Sequence, residues 1–123
     1  MSASQHGQSL DIRVERLDEC TVLHLAGDLD FHGTPIFNAH IDGVWSGEQG
    51  PRVIIDLAGL KFCDSAGLGS LVYVFNQITS AKGRLILVAV PDYLRRRLRI
   101  SGLDNHFESL DTIEQAVLEV GPA

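Results

Sequence analysis

The sequence predicts one α/β domain: a single-layer mixed sheet of about four strands, an N-terminal hairpin plus parallel strands, with about four helices. Three observations carry that expectation. Leu10, Ile12 and Val14 alternate with Asp11, Arg13 and Glu15, the period of a strand with one wet face. Val53 to Leu57 and Leu85 to Val90 are apolar without alternation, as strands covered on both faces are. Between them Leu68, Leu71, Val72, Phe75, Ile78 and Thr79 recur at three- and four-residue steps, one face of an α-helix. A strand, a helix and a strand in that order make a right-handed parallel crossover.

Each element has its own local signal. Asp18-Glu19 turns the chain, and Thr21 to Ala26 returns as the second strand of the hairpin. Gly27-Asp28-Leu29-Asp30 reads as a loop carrying two carboxylates. Thr34-Pro35 opens a helix, an N-cap followed by proline at the first helical position, with Phe37, Ile41, Val44 and Trp45 on its inner face. Gly47 to Pro51 breaks the chain before the central strand, which Arg52 opens. The next helix runs from Ser65 to Lys82-Gly83, with glycine placed for a left-handed cap. Pro91-Asp92 starts a third helix with Leu94 and Leu98 inward, closed by Gly102, and Phe107 belongs to a short edge strand. Asp111 and Glu114 form a capping box for the last helix, whose inner face is Ile113, Ala116, Val117 and Val120. Residues 10–120 are the domain, and 1–9 are a flexible tail.

At 123 residues the chain is long enough for a buried core. A net charge of −6 argues against a general affinity for nucleic acid or anionic membrane. Cys20 and Cys63 match no metal-ligand spacing and read as small buried side chains in a reducing compartment. No apolar run has membrane-spanning length, and Met1 to Ser9 lacks the apolar core of a signal peptide. The expected location is the cytoplasm.

The chemistry centres on Lys61-Phe62-Cys63-Asp64-Ser65-Ala66-Gly67-Leu68-Gly69-Ser70. Asp64 and Ser65 fall at a helix entrance, where short oxygen-bearing side chains accept unpaired N–H groups. Two glycines in the first turn weaken a helix by roughly 1 kcal/mol each, which implies close approach or tight packing there. The five histidines (His6, His24, His32, His40, His106) are scattered and pair with no ligand at a zinc-site spacing, so no metal is expected. Cys63-Asp64-Ser65-Ala66-Gly67 differs by one residue from a Gly-x-Ser-x-Gly elbow. Against a hydrolase stand Cys63 in place of the first glycine, a long strand-to-serine distance, no glycine-rich oxyanion segment, and His106 as the only downstream histidine. No phosphate-cradling glycine loop is present, and Arg95, Arg96, Arg97 and Arg99 spread around a helix as a solvated face. A receiver-type phosphoaspartate at Asp56 lacks its acidic pair after the first strand and its late lysine.

Ser65 remains as an acceptor of phosphate from another protein. A phosphoserine of about −1.5 to −2 charge at a helix N-terminus gains from the dipole and the unpaired N–H groups, so the fold tolerates it. At ~8 Å and an effective dielectric of ~20 a doubly charged group acts on a partner's carboxylate with about 4 kcal/mol. Half of that is already a usable switch, because about 1.4 kcal/mol is tenfold in affinity.

Leu25-Ala26-Gly27-Asp28-Leu29-Asp30 and Asp64-Ser65-Ala66-Gly67-Leu68-Gly69, with Pro91, Leu98 and Ser101-Gly102-Leu103 further on, make the chain resemble the STAS domain family, and within it the stand-alone bacterial anti-sigma factor antagonists. The resemblance runs from Leu10 to Val120. It implies partner switching: the unmodified protein binds an ATP-dependent anti-sigma factor serine kinase and frees a sigma factor. Phosphorylation at Ser65 ends that binding, and a phosphoserine phosphatase resets it. It further implies that Asp28, Asp30 and Asp64 assist phosphorylation or dock the kinase, and that Ala66, Gly67, Leu68 and Gly69 face the partner. No catalytic residue and no cofactor are implied, since the protein is the substrate. Ala66 stands where the family often has a second hydroxyl, and Phe31-His32-Gly33-Thr34 makes the loop after Asp30 distinct. Other relatives keep the fold without phosphorylation, as scaffold or ligand-binding subunits in stress-signalling or lipid-transport assemblies.

Overall fold

The computed structural model describes residues 9–44 and 50–120. Its elements are β1 (Asp11–Arg16), β2 (Thr21–Leu29), α1 (Thr34–Val44), β3 (Arg52–Cys63), α2 (Ser65–Ser80), β4 (Arg84–Val88), α3 (Asp92–Ile100), β5 (Glu108–Leu110) and α4 (Ile113–Val120). The five strands form one sheet in the order β1-β2-β3-β4-β5, with β1 antiparallel to β2 and every later pair parallel. The mixed α/β sheet with an N-terminal hairpin is therefore as expected, and Phe107 leads into a fifth, three-residue edge strand. The expected tail and Trp45 lie outside the described residues, as does the side chain of Val44.

The unalternating apolar runs have the physical meaning assigned to them. Val53, Ile54, Ile55 and Leu57 of β3 are all fully buried. Val53, Ile55 and Leu57 join Phe37, Ile41, Leu71, Val74, Ile78, Leu94 and Leu98 in the larger core, which α1, α2 and α3 cover. Ile54 faces the other way, with Val22, Ile86, Ala116 and Val120 under α4. Each such side chain removed from water contributes roughly 1.5–3 kcal/mol before chain entropy is set against it. On the α4 side, where the sheet is less covered, His24 holds Asp56 through Nδ1 at 2.7 Å and Glu15 through Nε2 at 3.0 Å.

Four local expectations are corrected. Gly27-Asp28-Leu29 is strand and not loop: parallel pairing runs on through Ala26↔Gly59, Gly27↔Leu60, Asp28↔Phe62 and Leu29↔Cys63, past register shifts on either side of Ala26 and Gly27. Those irregularities let β2 and β3 continue through residues whose composition reads as a turn. At the end of α2, Lys82 (φ 63) takes the left-handed position, one residue before the glycine. Lys82 N–H donates to Thr79 O at 3.0 Å and Gly83 N–H to Ile78 O at 2.8 Å, the paired bonds of a Schellman cap. Gly83 is required for a different reason: a Cβ there would stand 2.1 Å from Pro51 O. The α1 cap is Asp30 and not Thr34, because Asp30 Oδ1 accepts from His32 N–H at 3.0 Å and Gly33 N–H at 2.9 Å. The capping pair of α4 is Thr112 and Gln115, one position along from Asp111 and Glu114, with Gln115 N–H on Thr112 Oγ1 and Thr112 N–H on Gln115 Oε1.

Candidate functional site

The extension of β2 and β3 beyond β4 sets up the site. β4 last pairs at Asp56↔Val88, whereas β3 runs on beside β2 to Cys63 and delivers the chain directly into Asp64. Asp64 has extended backbone (φ −91, ψ −171) and caps α2, its Oδ1 accepting from Gly67 N–H at 2.8 Å. Its other oxygen, Oδ2, accepts from Phe31 N–H at 3.3 Å. One carboxylate thus joins the first turn of α2 to the β2–α1 loop. Ser65 follows as the first helical residue and is exposed, so its hydroxyl stands at the positive end of a 16-residue helix.

The two glycines do different things. A Cβ on Gly67 would lie 2.0 Å from Leu29 O and 3.0 Å from Cys63 Sγ, so the first turn of α2 is pressed onto the end of β2. Gly67 is buried, and so is Leu68 at 9 % exposure. A Cβ on Gly69 would meet nothing within 4 Å, and Gly69 is exposed. The expected partner-facing set therefore divides. Ala66 (half-buried) and Gly69 reach the surface, whereas Gly67 and Leu68 serve the packing that holds Ser65 out.

The three aspartates differ in their surroundings. Asp64 is at the rim as described, and Asp30 is committed to its own turn. Asp28 is 2 % exposed, and its Oδ2 has no hydrogen-bond partner among the described residues. It was expected in a loop, but the prolonged pairing of β2 takes it inside. Tyr93 of α3 lies close enough to feel it: burial pushes the phenol up to about 12, and the Asp28 charge adds to the push, as would Cys63 once ionised. The Tyr93 hydroxyl donates to Leu60 O at 3.0 Å.

His106, the only histidine downstream of Ser65, does not reach it. His106 packs on the Phe75 ring, 4.4 Å between centroids, and Phe75 lies ten residues along α2 from Ser65. At 1.5 Å per residue that is roughly 15 Å, too far for a base. The Cys63 thiol is 1 % exposed and pushed up to about 12, first by burial and then by the Asp64 charge, with Arg97 pulling the other way. It stays protonated. Two further residues have contacts or exposure that the sequence alone does not assign. Phe31 is 70 % exposed beside the Asp64 clamp, and buried Ser70 donates to Asn38 Oδ1 at 2.8 Å, tying α2 to α1. Ser70 lies one residue from Leu71 on the apolar face, a position from which its burial could be read, whereas nothing in the spacing marks Phe31 as exposed.

This is the architecture of an α/β domain that presents a serine at a helix N-terminus. The STAS domain model matches residues 11–117, and the chain belongs to that family. It is 26 % identical over 113 residues to the anti-sigma F factor antagonist of Paenibacillus polymyxa, covering 86 % of this chain and 97 % of the other. A crystal structure of an anti-sigma factor antagonist from Mycobacterium paratuberculosis superposes with a TM-score of 0.79 at 26 % identity, over 97 % of this chain and 98 % of that one. The antagonist SpoIIAA in its unphosphorylated form matches with a TM-score of 0.74 at 25 % identity, over 89 % of this chain and 96 % of that one. The same Bacillus protein has also been solved in its phosphorylated form, which matches with a TM-score of 0.69. Among the described residues no helix is long and apolar enough to cross a membrane.

Proposed function

We propose that this chain is a cytoplasmic anti-sigma factor antagonist that works by partner switching, with Ser65 as its phosphoacceptor. One observation carries the reading: an exposed serine opens α2, and its neighbour Asp64 fixes that helix end to the adjacent loop. The unmodified protein binds an ATP-dependent anti-sigma factor serine kinase and so frees a sigma factor. Phosphorylation of Ser65 ends that complex, and a phosphoserine phosphatase restores it. Asp64 positions the acceptor, Asp30 shapes the loop beside it, and Asp28 supports both from below the surface. Ala66 and Gly69 make the direct contact on this reading, with Gly67 and Leu68 behind them. The protein is the substrate, so no catalytic residue is assigned. SpoIIAA, a relative solved with and without phosphate, supports the proposal.

The test is incubation with the cognate anti-sigma factor kinase and ATP, read by intact mass. The expected result is one added phosphate, absent in Ser65→Ala, and loss of kinase binding in Ser65→Glu with thermal stability nearly unchanged. Equal modification of Ser65→Ala refutes the site. A complex that Ser65→Glu leaves intact refutes the switch and points to a non-phosphorylated scaffold.

A further inference from the structure

The helix α3 carries a charge pattern that packing does not explain. Four of the ten lysines and arginines fall at 95, 96, 97 and 99, in a chain of net charge −6. All four are exposed, and none forms an ion pair among the described residues. With Leu94 and Leu98 buried, the helical period divides them. Arg95 and Arg99 lie to one side. Arg97 lies to the other, a turn on from Tyr93, while Arg96 and Ile100 crown the helix.

The Tyr93 side is the one that meets β3, the strand that leads to Ser65. Tyr93 holds Leu60 O of β3 at 3.0 Å, five residues before Ser65. The Arg97 charge is felt at the Cys63 thiol, two residues before Ser65. Ile100 is 79 % exposed, and Tyr93 is 36 % exposed. A tyrosine, two arginines and an exposed isoleucine, without lysine or glutamate, is the composition of the centre of a protein interface. The acidic remainder of the chain disfavours a polyanion such as nucleic acid or a lipid surface.

We propose that Tyr93, Arg96, Arg97 and Ile100 form a second docking contact for the protein that acts on Ser65, and that this partner meets them with acidic side chains. The inference rests on the proposed function and names the chemistry of its partner. A phosphate on Ser65 enters the field of the same guanidinium, so modification also weakens the attraction for the partner's carboxylates.

Binding of the intact protein to the cognate anti-sigma factor kinase is measured by calorimetry at about 50 and about 300 mM salt. Arg96→Glu/Arg97→Glu should weaken binding at least about tenfold and flatten its salt dependence, while Arg95→Glu/Arg99→Glu costs less than about threefold. All four positions are exposed, and unchanged circular-dichroism melts verify folding. If Arg96→Glu/Arg97→Glu binds as tightly as the parent while Ser65→Glu does not bind, the docking contact is wrong and the switch stands. Equal weakening by both double variants also overturns it, because the effect is then general charge. If the parent itself does not bind the kinase, the proposed function falls and the contact with it. Binding to vesicles of about 30 % phosphatidylglycerol or to duplex DNA that Arg96→Glu/Arg97→Glu abolishes reassigns the patch and refutes an acidic protein partner.

Discussion

Removing the Asp64 carboxylate should loosen two segments at once. In Asp64→Ala the Gly67 N–H loses a charge-assisted partner at 2.8 Å and the Phe31 N–H one at 3.3 Å. Loss of an N-cap costs about 1 kcal/mol, and loss of a negative charge at a helix N-terminus about 0.3–1 kcal/mol. The longer bond to Phe31, near exposed chain, adds about 0.5 kcal/mol. The total is about 2 kcal/mol, near 8 °C in Tm at about 4 °C per kcal/mol for a chain of this size. Asp64→Asn keeps one acceptor oxygen for Gly67 and loses only the charge and the second arm, so about half that change is expected. Urea unfolding gives the energies. Amide exchange gives the geometry, with Phe31 and Gly67 both losing protection in Asp64→Ala and only one of them in Asp64→Asn. If Asp64→Ala stays within about 0.5 kcal/mol of the parent, or if Phe31 exchange does not change, the carboxylate does not bridge the loop and the helix.

The glycines should respond in opposite directions. Gly67→Ala forces a Cβ to within 2.0 Å of Leu29 O and should cost about 3 kcal/mol or prevent folding. Gly69→Ala has open space and should stabilise by about 0.5–1 kcal/mol in urea unfolding; a loss of stability there contradicts the placement. The Cys63 thiol is pushed up to about 12 from an ordinary value of 9.0, so the folded state favours the protonated thiol. That stability is fully present below about pH 9 and is lost as pH rises, by about 1.4 kcal/mol per unit between 9 and 12. Tyr93 adds a similar loss above about pH 10, discounted for its exposure. Cys63→Ala should flatten the slope between pH 9 and 10, and an unchanged slope refutes the assignment.

Where one physical signal dominated, the sequence was readable. The order of strands and helices followed from period, and so did the buried faces of β3, α3 and α4; in α2 Leu68, Leu71 and Ile78 are buried as their spacing implies, but Thr79 is exposed and Val74, which the spacing did not single out, is buried. Asp64 as a cap was legible because helix starts have few chemical solutions. The misses have a common cause in neighbouring residues of equal local merit. Asp30 and Thr34 can both cap α1, and Asp111 and Thr112 can both cap α4, so only the fold chooses between them. Asp28 reads locally as loop because a polar residue after glycine usually leaves the sheet. Long-range pairing with Phe62 keeps it in, and no local pattern encodes that. The purpose of Gly67 was likewise hidden, because Leu29 O, which it must clear, comes from a strand 38 residues earlier in the chain.

Ending β4 at Val88 while β3 continues to Cys63 creates a hazard that α3 removes. From Leu57 onward no β4 residue stands opposite β3, so this margin of the sheet could template a strand from another molecule. The Tyr93 hydroxyl occupies Leu60 O, in the middle of that margin, and α3 lies over it. The length of β3 that leads into Asp64 and Ser65 is thereby made a poorer template for a strand of a second copy, which leaves the exposed serine beside an edge that does not invite pairing.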